Sequence, residues 1–273
     1  MSLAIRTFMA QRLYREDPLT PEEREEFEVD LIAFCDRELD RLGEIEGLRV
    51  LYAGGASPLW LEGLSQRIGA EGSLTALEAD GERLAVARAS LREMDLDAPV
   101  QFVQGDVFEP PFGADAFDLV YSAGLFHELD VRERPAEDAL AALVGVVRPG
   151  GRVATSDFVD STAAAQIEDE ELSRELARAS SGAILYGIGP PERLVALHER
   201  VLSGVRSISS PPFAIRHLDK IVLSEKDHSE GLRIPHQARR ELRRRREDSR
   251  EQVRREGYTR PTTIYVEGIV PGG

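Results

Sequence analysis

A chain of 273 residues, 42% of them hydrophobic, is long enough for one large α/β domain or one such domain with added helices. Its 49 acidic residues against 34 basic ones leave a formal charge of −15, which repels phosphate backbones and argues against general nucleic-acid binding. The single cysteine, Cys35, excludes an intrachain disulfide and a zinc–thiolate cluster, so no metal site is expected. No apolar run reaches the roughly 20 residues of a membrane helix, and the start lacks the basic-then-apolar order of a signal peptide. The expected setting is therefore soluble and cytoplasmic, without a membrane partner.

In chain order, residues 1–46 read as two helices forming an N-terminal cap. The second is announced by "LTPEEREEF", with Thr20 as cap, Pro21 in the first turn and Glu23 three residues after the cap. Phe27, Leu31, Phe34 and Leu42 follow near helical spacing. From residue 48 the pattern alternates. "LRVLYAG" is a strand and 58–69 a helix. "SLTALEA" is a strand and 81–95 a helix. "VQFVQGD" and "FDLVYSAG" are strands, and 135–147 is a helix with Val147 on its inner stripe. "RPGG" stops that helix before a fifth strand, "RVATSDF". Such alternation predicts a doubly wound, mostly parallel α/β sheet with helices on both faces. Beyond residue 158 come helical stretches near 163–180 and 190–203, a sixth strand at "GVRSISS", an arginine-rich helix over 239–255 and a last strand at "TTIYVEGIV".

Ligands of an open parallel sheet bind beyond the carboxyl ends of its strands, and four strand ends carry suitable residues. Gly54, Gly55 and Ala56, with Ser57, form a turn that lets a ligand approach the backbone at a helix start; a plain tight turn is the alternative. Glu78 stands 24 residues after Gly54, where an acid accepts from both hydroxyls of a ribose. Asp106 is placed to accept from an exocyclic amine while the Val107 amide donates to a ring nitrogen; an Asp turn is the competing reading. Ser122, Ala123 and Gly124 leave room for a reacting group beside His127, which is either a base or substrate anchor, or a packed residue at a helix start. Asp157 is the second candidate base. Tyr14, Tyr186 and His198 are further candidates for an acceptor pocket, with ordinary packing as the alternative. The arginine run reads first as a solvated or bridging helix stabilised by neighbouring acids.

The ordered segments "RVLYAGGAS", "LTALEADGERLAVAR", "VQFVQGDVFEPPF", "FDLVYSAGLFHEL" and "LVGVVRPGGRVATSDF" resemble the class I S-adenosylmethionine-dependent methyltransferases over roughly residues 48–158. The resemblance implies a Rossmann-like seven-stranded sheet whose last strand is antiparallel. It implies a domain over 47–273, with helical insertions at about 159–203 and 236–257. It also implies S-adenosylmethionine as cofactor, with its methionine portion on the glycine turn, Glu78 on the ribose, Ala79 beside the adenine, and Asp106 with Val107 at the adenine edge. Tyr52 stands where the family carries an acid that holds the ammonium end, and Ala56 replaces a later glycine. The expected activity is methyl transfer to a small-molecule acceptor, with self-association left open. A non-catalytic ligand-binding or interaction module on the same fold, and a nicotinamide-dependent oxidoreductase, are the alternatives.

Overall fold

The computed structural model describes residues 18–92, 94, 96–160, 164–224, 234–259 and 262–272. The first helix expected from the sequence, and Tyr14 with it, lies outside these residues.

Helix α1 (Pro21–Leu39) starts as its sequence dictates. The Glu23 amide donates to Thr20 Oγ1 and the Thr20 amide to Glu23 Oε2, a reciprocal capping box. A 3-10 turn (Asp40–Leu42) leads towards β1 (Arg49–Ala53). The alternating region then runs α2 (Pro58–Ile68), β2 (Ser73–Glu78), α3 (Gly81–Leu91), β3 (Val100–Gln104), β4 (Phe117–Ala123), α4 (Ala136–Gly145) and β5 (Val147–Phe158). After it come α5 (Ala164–Ser181), α6 (Pro191–Glu199), β6 (Ser203–Ser210), α7 (Leu218–Ser224), α8 (His236–Glu256) and β7 (Thr263–Ile269).

The strands form one sheet in the order β3-β2-β1-β4-β5-β7-β6. β7 runs antiparallel to both of its neighbours, as expected of the last strand. Order reverses between β1 and β4, so the crevice of such a sheet opens beyond their carboxyl ends. Two corrections concern β5 and the turn after β4. Val147 does not end the preceding helix: it pairs with Phe117, and β5 begins there, with a register shift on β4 between Phe117 and Leu119. Nor does a helix begin at His127; residues 126–128 form a turn closed by the Leu129 amide on the Phe126 carbonyl.

Burial splits by strand parity, the period-2 rule of a sheet with both faces covered. Val50, Tyr52, Leu74, Ala76, Leu119, Tyr121, Ala154 and Tyr265 face α1, α2, α3 and α7. Leu51, Leu77, Val120, Val153, Ile264 and Val266 face α4 and α6. Helices α5 and α8 pair separately over the small cluster Leu172, Ile234 and Leu242, with Arg245 bridging Glu168 and Glu175. That pairing bears on the arginine run: Arg244 also binds Glu241 and Asp248, and Arg254 binds Glu247. These neutralised arginines make a bridging helix. Among the described residues no helix is long and apolar enough to cross a membrane.

Candidate functional site

Beyond the ends of β1, β2, β4 and β5 lies a cleft of about 840 Å³. Its floor is the β1–α2 turn. Gly54 takes a left-handed φ of 73° and, with Gly55, donates its amide to the Leu77 carbonyl, which ties the turn to β2. A Cβ on Gly55 would stand 2.8 Å from the Tyr52 ring, and one on Gly54 would stand 2.3 Å from Leu125 Cδ1. The second glycine is therefore required by the tyrosine two strand residues before the turn. Tyr52 is fully enclosed and stacks on Tyr121 at 6.1 Å. Burial raises its hydroxyl pKa far above the ordinary range, so the ring stays neutral. Ser57 caps α2 without a side-chain hydrogen bond, and with Pro58, Leu59 and Trp60 it faces the cleft. The positive end of α2 thus points into the cavity.

Glu78 comes from the end of β2, on the same sheet face as Tyr52. It is buried, lines the cleft, and one of its oxygens, Oε1, accepts the Asp80 amide at 3.0 Å. Ala56 also lines the cleft. Ala79 is exposed, and its carbonyl accepts from Gln104 Nε2. Asp106 is exposed as well and is not part of the cleft wall: its Oδ1 accepts the Phe108 amide at 2.9 Å, the Asp-turn reading. Val107 packs in the core on the α4 side. Ser122 is turned away from the cleft. Its hydroxyl meets Thr155, and Thr155 meets His198 Nε2 at 3.0 Å. Because His198 Nδ1 must donate to the Leu194 carbonyl, Nε2 accepts from Thr155, which in turn accepts from Ser122. Burial pushes the His198 pKa down to about 4, so this chain is neutral and structural. His198 and Ser122 belong to the opposite face, and Tyr186 lies behind the cleft wall under the Arg193 guanidinium, 3.5 Å from its ring centre.

The strongest electrostatic feature is the pair His127–Asp157. Asp157, at the end of β5, accepts four hydrogen bonds: the Phe126 amide at 2.7 Å and the His127 amide at 3.2 Å on Oδ2, the Phe158 amide at 2.7 Å and His127 Nδ1 at 2.7 Å on Oδ1. The carboxylate fixes both the turn and the ring within it, so Asp157 positions His127. Nε2 of that ring stands 3.7 Å from Glu128 Oε1. Burial alone would lower the His127 pKa, but the Asp157 charge and hydrogen bond, helped by Glu170 and Glu128, raise it to about 9. At neutral pH the ring is an imidazolium that donates from Nε2 and becomes a base only in alkali. The raised pKa makes the pair's contribution, about 3 kcal/mol, fully present below pH 6.5 and lost as pH rises through about 9. Urea midpoints should accordingly fall more steeply between pH 6.5 and 9 in the wild type than in His127→Asn; parallel slopes would contradict the pairing.

Sequence reasoning did not find the rest of the wall. Trp60, Phe158, Tyr258, Glu128, Asp169 and Glu170 all reach the cleft. Glu128 adjoins His127 in sequence, but the two α5 acids occupy no strand end and carry no local signal. Glu38, 1% exposed, accepts from Arg41 at 2.6 Å and from Thr263 at 3.1 Å, and so holds α1 over the cavity.

Comparison with known proteins finds similar sequences and similar folds. A family profile described as a methyltransferase domain matches residues 50–151. The ubiquinone/menaquinone biosynthesis C-methyltransferase UbiE of Idiomarina loihiensis is 34% identical over 122 residues, 44% of this chain and 46% of that protein. The chain thus spans about half the length of the curated relatives it matches. The fold is also similar to that of the YcgJ protein from Bacillus subtilis (TM-score 0.59, 18% identity, 88% of this chain and 100% of that one). It is similar too to Haemonchus contortus phosphoethanolamine N-methyltransferase 2 in complex with phosphomonomethylethanolamine and S-adenosylhomocysteine (TM-score 0.56, 16% identity, 88% of this chain and 53% of that one).

Proposed function

Given that residues 50–151 form a methyltransferase domain of the class I S-adenosylmethionine-dependent family, we propose that this chain binds S-adenosylmethionine in the cleft and transfers its methyl group to a small-molecule acceptor. The observation that carries the reading is the convergence of Glu78, the Gly54–Ala56 turn and the bare end of α2 on one cavity. The donor set fits the cofactor. A buried carboxylate with one oxygen engaged keeps the other for a ribose diol. Open amides at a helix start suit a carboxylate. The turn is low enough for a chain to lie over it.

The bound cofactor would supply a methyl group on a positively charged sulfur, a leaving group that needs no further activation. The protein's task is alignment and exclusion of water, for which orientation contributes about 7–11 kcal/mol. Helix α1, pinned through Glu38 to Arg41 and Thr263, covers the cavity with Leu31 and Phe34. His127, held rigid by Asp157, faces the reacting end as a donor. Its imidazolium orients an acceptor at neutral pH rather than taking its proton.

Tyr52 in place of an acid, and Asp106 bound into its own turn, favour one competing reading: a fold relative that binds a nucleoside-like ligand without turnover. Calorimetric titration with S-adenosylmethionine, S-adenosylhomocysteine and NAD tests these readings. Both sulfur compounds should bind, and Glu78→Gln should weaken each by about tenfold or more, some 1.4 kcal/mol. Binding of neither, or preference for the dinucleotide, would overturn the proposal. Binding without methyl release to any acceptor would leave the non-catalytic reading.

A further inference from the structure

Resting on that reading, we propose that Tyr52 is the residue that recognises the ligand's carboxylate. Its hydroxyl and the open amides at the start of α2 form one pocket for the anionic end of the amino-acid tail. Alternation along β1 sends Leu51 and Ala53 towards α4, and Val50 and Tyr52 towards α1. The Tyr52 ring packs against the Gly54–Ala56 turn and is held there by its stack on Tyr121. All but 2% of the residue is enclosed, and it lines the cleft. Its hydroxyl bonds to no described residue, yet it is not closed off as the Tyr121 and Ser156 hydroxyls are. Gly55 keeps it open: a Cβ there would stand 2.8 Å from Oη, so only a glycine leaves that oxygen uncovered. An unbonded hydroxyl in so enclosed a place is unfavourable, and an acceptor atom on a ligand would satisfy it.

The other half of the pocket is backbone. Among the described residues, none accepts a hydrogen bond from the amides of Ala56, Ser57, Leu59 or Trp60. Pro58 has no N–H to offer, and the Ser57 hydroxyl caps nothing. The helix runs for 11 residues, so its positive end adds to these donors. Cys35 gives its thiol to the Leu59 carbonyl at 3.9 Å, and burial keeps it protonated, so no thiolate opposes an anion there. A carboxylate matches this set of donors. An ammonium would meet the positive end of a helix and a phenol oxygen whose lone pair is partly drawn into its ring. Strand register joins the pocket to the ribose acid: Ala53 pairs with Leu77, which puts Glu78 beside the turn. One adenosyl thioether can therefore place its ribose on Glu78 and its carboxylate on Tyr52.

The consequence is a specificity that separates the two charges of the amino-acid tail. The phenol stays neutral and donates, so its share of the affinity follows the carboxylate and not the amine.

The test titrates the full chain by calorimetry with three compounds. They are S-adenosylhomocysteine, its deaminated analogue, which keeps the carboxylate, and methylthioadenosine, which has neither group. Methylthioadenosine should bind the wild type at least about tenfold more weakly than S-adenosylhomocysteine, or not at all. Tyr52→Phe keeps the ring and its stack. It should weaken S-adenosylhomocysteine and the deaminated analogue alike by about tenfold, as expected for a hydrogen bond to a charged group. Methylthioadenosine should bind the variant as it binds the wild type. Thermal unfolding checks that the variant folds, and the wild-type comparison stands without it. Methylthioadenosine binding the wild type as tightly as S-adenosylhomocysteine overturns the proposal. So does a Tyr52→Phe variant that weakens all three compounds equally or changes none. A loss confined to S-adenosylhomocysteine overturns it too, because the hydroxyl would then serve the amine. Failure of S-adenosylhomocysteine itself to bind the wild type refutes the parent reading instead.

Discussion

Asp157→Asn should lower the unfolding free energy by about 3–5 kcal/mol, the cost of breaking a buried charged pair. The carboxylate accepts three backbone amides and the His127 ring. An asparagine has one acceptor oxygen, and its NH₂ must face at least one of these donors. A second readout separates this from a generic core defect. Without the Asp157 charge, burial governs His127, whose pKa should fall from about 9 to below its ordinary 6.5. An NMR titration of the imidazole measures that directly. Destabilisation under 1 kcal/mol with an unmoved His127 titration would contradict the pairing.

Gly55→Ala is the second large effect. The new Cβ would stand 2.8 Å from Tyr52 Cε1 and Oη and 2.9 Å from Cζ. The ring has little room to retreat, being stacked on Tyr121 and 2% exposed. Overpacking of this kind costs about 1–3 kcal/mol. The turn that forms the cleft floor would shift with it, so S-adenosylmethionine affinity should drop as well. In a Tyr52→Leu background the alanine should cost less, with a coupling of about 0.5–3 kcal/mol. Additive effects in the four-protein cycle would show that glycine is needed there for another reason.

Much of the architecture was legible because it follows from period. Thr20 and Glu23 marked the start of α1, and the β–α alternation from residue 48 to 158 predicted the parallel core, while the antiparallel final strand was implied by the family resemblance alone. Glu78 was legible for the same reason: a strand end fixes where a side chain goes. Ser122 was not, because the small side chains ending β4 leave open which face each occupies. Parity sends Tyr121 to the cleft side and Ser122 to Thr155 and His198. Asp106 lies outside the cleft wall with its Oδ1 on the Phe108 amide, a placement no strand-end rule foretells, since an Asp two residues before an amide closes its own turn as readily as it binds a ligand. Glu128, Asp169 and Glu170 were hidden for a third reason: the α5 acids reach the site only through the packing of an inserted helix, which no local pattern encodes. The part of the cleft wall around Glu78 and the Gly54–Ala56 turn thus follows from strand ends, and the part around Asp169 and Glu170 from tertiary contacts.

A crystal structure of the chain with S-adenosylhomocysteine tests the central claim most directly. It should show the ribose hydroxyls within hydrogen-bond distance of Glu78, the carboxylate end against the start of α2, and the sulfur above the Gly54–Ala56 turn, facing His127. A nucleoside seated away from Glu78, or a cleft that stays empty at saturating ligand, would contradict it.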